Sequence, residues 1–272
     1  MKKIFSFILL FIFLITFSLG CQKKEDVLKV GMDLRFYPFS GTDKLGEPIG
    51  IEVDIANELG KYLDKKVEII NTNFSMLIPA LQNGEIDIII GSMGITKERE
   101  QSVDFTNPYF YEKMIALINK NFATKKNITN DMKVEELFKI KDMKFVGING
   151  SMAVTIPQVY GYEVKTVTTD AVAQSEITTG SSHILVGTYT LYGMHNTNKD
   201  STIIYENSIQ SSKTGMAVKT GNKYLLDKAN EFISKMESSG FNDRLKNDWD
   251  KAIQEKLFDD SITLDYYLKL DN

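Results

Sequence analysis

The chain has 272 residues, of which 43% are hydrophobic and 25% charged, a balance that excludes a disordered or fibrous protein. A net charge of −4 with no basic stripe argues against nucleic acid or an anionic bilayer as the partner surface. A single cysteine, Cys21, excludes an intramolecular disulfide, and the length accommodates one large domain or two smaller lobes.

Taken in chain order, Lys2 and Lys3 precede a nearly unbroken run of Phe, Ile and Leu that ends at Leu19. A positive start and a short apolar run read as a secretory signal, since a spanning helix needs about 20 apolar residues. Gly20-Cys21 then opens a polar tether, residues 22–26. A lone Cys directly after Gly resembles the bacterial lipobox, in which the sulfur carries a diacylglyceryl group. Ser18 and Leu19 stand in the reverse of the usual order, and the alternative is ordinary secretory cleavage, or an uncleaved anchor, with Cys21 incidental. Loss of residues 1–20 takes away two lysines and no acid, which carries the net charge from −4 to −6. No later segment is long and apolar enough to span a bilayer.

Residues 27–32 read as a strand, and 33–50 as a loop punctuated by Pro38, Gly41, Gly46 and Pro48. Ile51, Ile55, Leu59 and Tyr62 recur at helical spacing and predict a helix ending near Leu63. A strand at 67–70 follows. Ser75 is placed to cap a helix running to Gly84, with Pro79 in its first turn. Then come a buried strand at 86–90, a loop at 91–94, a short helix at 96–99 and a strand at 111–118. A polar link at 119–130 leads to a helix at 134–138, a strand at 144–148, and the turn Asn149-Gly150-Ser151, which opens another helix. Strand 164–167, helix 170–179, strand 184–186 and a further helix complete this block. Strand 203–205, a polar stretch at 206–214, strand 216–218 and two helices at 222–239 and 241–255, divided at Gly240, finish the pattern. Alternating strands and helices predict an α/β architecture.

Several separated segments carry a family resemblance. They are Phe36-Tyr37-Pro38-Phe39, Gly50-Ile51-Glu52-Val53-Asp54-Ile55-Ala56, Leu77-Ile78-Pro79-Ala80-Leu81 with Gly84-Glu85-Ile86-Asp87, Met93-Gly94-Ile95-Thr96-Lys97-Glu98-Arg99, Val103-Asp104-Phe105-Thr106-Asn107-Pro108-Tyr109, and Thr214-Gly215-Met216-Ala217-Val218. Together they resemble the extracellular solute-binding proteins, family 3, which serve polar amino-acid ABC importers, over residues 27–249. The resemblance implies the type II periplasmic-binding-protein fold: two α/β lobes, the second inserted in the first, joined by a two-strand hinge. On this chain that places lobe one at 27–117 and 214–272 and lobe two at 118–213, with ligand buried by hinge closure.

The resemblance implies that Arg99 grips a ligand carboxylate, for which a guanidinium supplies a planar two-donor fork. It also brings Ser92, Gly94 and Thr96 to the ligand. Ser151 and Met152, at a helix start with free amides, are placed for a second carboxylate contact from lobe two, a plain helix cap being the alternative. Phe36 and Phe74 align with residues that sandwich the ligand, and core packing is the other reading for both. Asp33 aligns with a position that meets a cationic side chain in some members. Two ammonium ligands are missing: Gly94 stands where a Ser or Thr hydroxyl is usual, and Thr188 where an Asp is usual. Another acid such as Asp33 substitutes, or the ligand is a carboxylate lacking the ammonium, or the correspondence in lobe two is displaced by a residue.

His183 and His195 lack metal-ligand spacing and a Cys partner, so neither a metal nor a cofactor is expected, and Trp249 reads as a packing residue. The resulting expectation is a monomeric extracytoplasmic binding lipoprotein, tethered through Cys21, that takes up a small carboxylate and serves a membrane permease and its ATPase. The alternatives are a cleft enzyme of the same fold acting on a cyclic acid and a sensor's ligand domain. Residues 256–272 lie beyond the resemblance, and Tyr266, Tyr267 and Leu268 predict that they pack back on a lobe.

Overall fold

The computed structural model describes residues 26–257, 260 and 262–268; the signal-like segment and Cys21 lie outside them. The strands are β1 (Val27–Met32), β2 (Gly41–Thr42), β3 (Pro48–Ile49), β4 (Lys66–Asn71), β5 (Ile88–Ile89), β6 (Val103–Asn119), β7 (Phe145–Ile148), β8 (Val164–Val167), β9 (Ile184–Gly187) and β10 (Thr202–Lys219). The helices are α1 (Ile51–Tyr62), α2 (Leu77–Asn83), α3 (Lys120–Lys126), α4 (Val134–Leu137), α5 (Met152–Val159), α6 (Asp170–Thr179), α7 (Thr190–Asn196), α8 (Lys223–Lys235), α9 (Phe241–Leu257) and α10 (Asp265–Leu268).

Eight strands are joined in the order β4-β1-β5-β10-β6-β9-β7-β8. Strands β1, β4 and β5 are parallel on one side, and β7, β8 and β9 are parallel on the other. Between them β6 and β10 run antiparallel, paired from Thr202 opposite Asn119 to Lys219 opposite Val103 with three shifts of register along the way. The chain therefore crosses from one half to the other along β6 and returns along β10. This is the two-lobed architecture that the sequence implies.

The sequence reads these crossing strands too short. Residues 111–118 belong to a strand beginning at Val103, and the polar stretch 206–214 is part of β10 rather than an interruption of it. Pairing with β6 supplies the backbone hydrogen bonds that the composition does not suggest. The register shifts between Tyr205 and Gln210 mark where the pairing is irregular. Ser75 does not cap α2, which starts after a tight turn at Phe74–Met76 with Met76 in the capping position. A helix within the polar link, α3, was not anticipated; the Asn119 side chain caps it by accepting from the Phe122 amide.

Gly50 fixes where α1 begins. Its φ of 140° is open to glycine, and an added Cβ would press on the Phe39 carbonyl, as well as lying 2.9 Å from that of Pro38. Those two carbonyls accept from the amides of Ile51 and Glu52, so the turn ties the aromatic loop to the first helix. Trp249 packs as expected, and its indole N–H donates to Asp54 at 2.7 Å. The tail also packs back: Ile262, Leu264 and Tyr267 are buried. The Tyr267 ring sits 4.8 Å from Phe39, 6.0 Å from Tyr189 and 6.1 Å from Phe110.

Candidate ligand-binding site

A cavity of about 150 Å³ lies between the two halves, against the crossing strands, and is lined from both sides and from β6 and β10. Arg99 sits at one end. Its Nη1 donates to the Gly94 carbonyl at 2.6 Å and its Nη2 to the Gly150 carbonyl at 2.7 Å, so the guanidinium spans the cleft. Its centre lies 5.3 Å from the Phe74 ring, a cation–π distance. Burial lowers its pKa to about 10, and it remains charged at neutral pH. Among the described residues no carboxylate pairs with it.

Of the other residues singled out, Phe36, Phe74, Ser92, Gly94, Ser151, Met152 and Thr188 line this cavity. Thr96 does not. Its hydroxyl accepts from the Arg99 amide at 3.2 Å and thereby fixes the segment that carries the guanidinium. The Ser92 amide and hydroxyl donate to Glu52 at 2.6 and 3.1 Å, and the Tyr109 hydroxyl donates to the same oxygen at 2.5 Å. Glu52 is thus a buried strut beneath the ligand loop, its own carboxyl pushed above the usual range by burial. The Ser151 hydroxyl donates to the Ile148 carbonyl at 2.7 Å instead of capping α5, which leaves the first-turn amides without a side-chain cap.

Asp33 does not line the cavity. It is 2% exposed, and its oxygens accept from Arg35 Nε at 2.7 Å, Arg35 Nη2 at 2.5 Å and the Phe74 amide at 2.9 Å. Its charge is spent on a residue two positions along the loop. Gly94 has a physical reason to lack a side chain: a Cβ there would lie 2.8 Å from Met152 Sδ and 3.0 Å from Ser212 Oγ. The thioether from the opposite side occupies the space that a hydroxyl would need.

Two cavity acids escaped the sequence reading. Glu112 lies on β6 and accepts from the Thr214 hydroxyl at 3.3 Å. Burial raises its pKa to about 7, with the nearby Glu52 charge adding and the hydroxyls of Thr214 and Thr188 opposing. Asp170 opens α6; burial raises its pKa, and the Arg35 charge is the largest influence that lowers it. The signal for Glu112 was an acid placed just ahead of the apolar run Met114–Ile118 in the crossing strand. The rest of the wall is mainly apolar, with Met114, Leu185, Leu191 and Met194 beside Met152 and the rings of Phe36, Phe39 and Phe74.

The cleft is thus lined from both halves, with Arg99 and Glu112 among its charged groups. The chain is 25% identical over 229 residues to the L-cystine-binding protein TcyJ of Escherichia coli (strain K12), covering 84% of each. It is 28% identical to the ABC transporter glutamine-binding protein GlnH of Bacillus subtilis (strain 168), covering 92% of this chain and 98% of that one. Among solved structures, an ancestral arginine-binding protein bound to arginine superposes with a TM-score of 0.69 at 30% identity, covering 82% of this chain and 97% of the other. The ancestral amino acid-binding protein AncCDT-1, a precursor of cyclohexadienyl dehydratase, gives 0.69 at 29% identity, covering 83% and 96%. The family model for bacterial extracellular solute-binding proteins, family 3, matches residues 28–252, and the chain belongs to that family.

Proposed function

We propose that this protein captures an amino acid in its cleft outside the cytoplasmic membrane and presents it to an ABC importer. One observation carries the reading: a half-buried arginine donates across the cleft to Gly94 and Gly150 and, among the described residues, has no acid of its own. A ligand carboxylate supplies the missing anion and contacts both sides at once, and only such differential contact shifts a hinge toward closure. The names of the relatives, which bind cystine, glutamine and arginine, support an amino acid as cargo. The lobes are proposed to divide at 27–117, 118–213 and 214–272, with the crossing strands β6 and β10 as the hinge.

The test is thermal denaturation with each common amino acid and cystine, beside matched acids lacking the amino group. A ligand at 1,000 times its Kd contributes about 4 kcal/mol, expected to raise Tm by on the order of 10 °C. No shift from either series would sink the reading. The second reading, a cleft enzyme, draws on Glu112, because a carboxyl holding its proton near pH 7 is suited to general acid work. Absorbance on mixing with a cyclohexadienyl acid separates the two: a binding protein leaves the spectrum unchanged, and an eliminating enzyme makes an aromatic product.

Anchoring through lipid on Cys21 is part of the same proposal. Cys21→Ser is expected to abolish incorporation of labelled palmitate and to release the protein from the membrane fraction. Unchanged labelling would remove Cys21 from that role.

A further inference from the structure

We propose that Glu112 is the cation anchor of the cavity, and that the ligand is an α-amino acid with an uncharged, largely apolar side chain. This rests on the solute-binding reading above and goes beyond it by naming the anchor and the ligand class.

Placement comes first. Glu112 pairs directly with Ser212 across β6 and β10, and directly paired residues present their side chains on one face. The Ser212 hydroxyl lies beside Gly94, whose carbonyl holds Arg99. Arg99, Ser212 and Glu112 therefore line one cavity, and a ligand carboxylate held by the guanidinium leaves the ammonium on the same α-carbon to Glu112. Thr188 and Thr214 flank the acid, and Thr214 already donates to it.

Charge comes second. Asp33 is hydrogen-bonded to Arg35, and the Arg35 charge acts on Asp170. Among the described residues no cation pairs with Glu112: the charged and titratable groups acting on it or feeling its charge are Glu52, Tyr109 and Tyr267. A carboxylate held in a cavity without a cation is costly, and a ligand ammonium placed there removes that cost. The usual ammonium ligands are absent at Gly94 and Thr188, and Glu112 occupies the position from which their loss is compensated.

The wall decides the side chain. Met114, Met152, Met194, Leu185 and Leu191 offer no partner to a charge, Asp33, the position that would meet a cationic side chain, is closed by Arg35, and the lining acid Asp170 already lies in the field of the Arg35 charge. A charged side chain would lose its hydration without replacement.

The experiment uses protein expressed as the full 272-residue chain and purified as the cell processes it. Calorimetric titration compares leucine, methionine and phenylalanine with arginine, lysine and glutamate, and with the amine-free acids isocaproate and hydrocinnamate. The apolar amino acids are expected to bind tightest. Glu112→Gln is expected to weaken them roughly 10- to 100-fold, the span of one charge-assisted hydrogen bond, while leaving isocaproate and hydrocinnamate unchanged. Because the ligand ammonium requires the ionised acid, wild-type affinity should rise about tenfold from pH 6 to pH 8 and Glu112→Gln should be flat. Equal affinity in Glu112→Gln, a preference for a charged side chain, or equal binding of amine-free acids overturns the proposal while leaving solute binding intact. No binding by any compound overturns both.

Discussion

Arg99→Lys is expected to weaken ligand binding at least about tenfold, and Arg99→Ala by considerably more, with the fold unchanged. The guanidinium serves three partners at once: the Gly94 carbonyl on one side of the cleft, the Gly150 carbonyl on the other, and the Phe74 ring beneath it. Its remaining donors are the fork offered to a carboxylate. An ammonium is a point charge with no planar fork, and it cannot hold both carbonyls in these directions while keeping two parallel bonds to a ligand. The substitution also changes the pH response. Burial lowers the arginine pKa to about 10 and leaves it charged at any physiological pH. Lysine starts near 10.4, and a comparable desolvation would bring its titration close to neutral pH. Affinity of Arg99→Lys should therefore fall further between pH 7 and pH 9, where wild type holds its charge. Calorimetry reads the affinity, and circular dichroism with Tm reads the fold. Wild-type affinity in either variant would take Arg99 out of the site.

The parts of this site that were legible in the sequence are those encoded locally. Thr96 and Arg99 stand three apart, and the Thr96 hydroxyl accepts from the Arg99 amide, so a short motif carries both the residue and its positioning. Phe36 and Phe74 are likewise set by the loop and turn that bear them, and both reach the cavity. What was not legible depends on long-range register. Whether position 112 faces the cavity is decided by the pairing of Glu112 with Ser212, a hundred residues away, and a one-residue slip would turn it outward. Asp33 lies off the cavity for a different reason. Arg35, two residues on, folds back on it, and strand periodicity says nothing about a loop side chain's return. Gly94 read as a deletion of chemistry, whereas it is an accommodation: Met152 arrives from the far side of the cleft and fills the space.

Tyr267→Ala is expected to cost about 3–5 kcal/mol of stability, the range for truncating a buried aromatic ring, and to lower Tm by roughly 10 °C. Tyr267 is 1% exposed although it lies beyond the family-matched region. Its ring fits against Phe39 and Phe110 on one side and Tyr189, just ahead of α7, on the other. Phe39 and Leu191 both line the cavity, so the tail braces the two halves behind the ligand. Two consequences follow. Tyr266→Ala, which removes a less buried ring, should cost less than Tyr267→Ala, and Tyr267→Phe, which keeps the ring, should cost least. Ligand affinity should also fall in Tyr267→Ala with every cavity residue unchanged, because the closed arrangement loses a contact that spans the cleft. Urea unfolding of the ligand-free variants measures the first effect and calorimetry the second. A stability loss under about 1 kcal/mol would make the tail an appendage. A large loss at unchanged affinity would make it a prop for one half alone, with no part in closure.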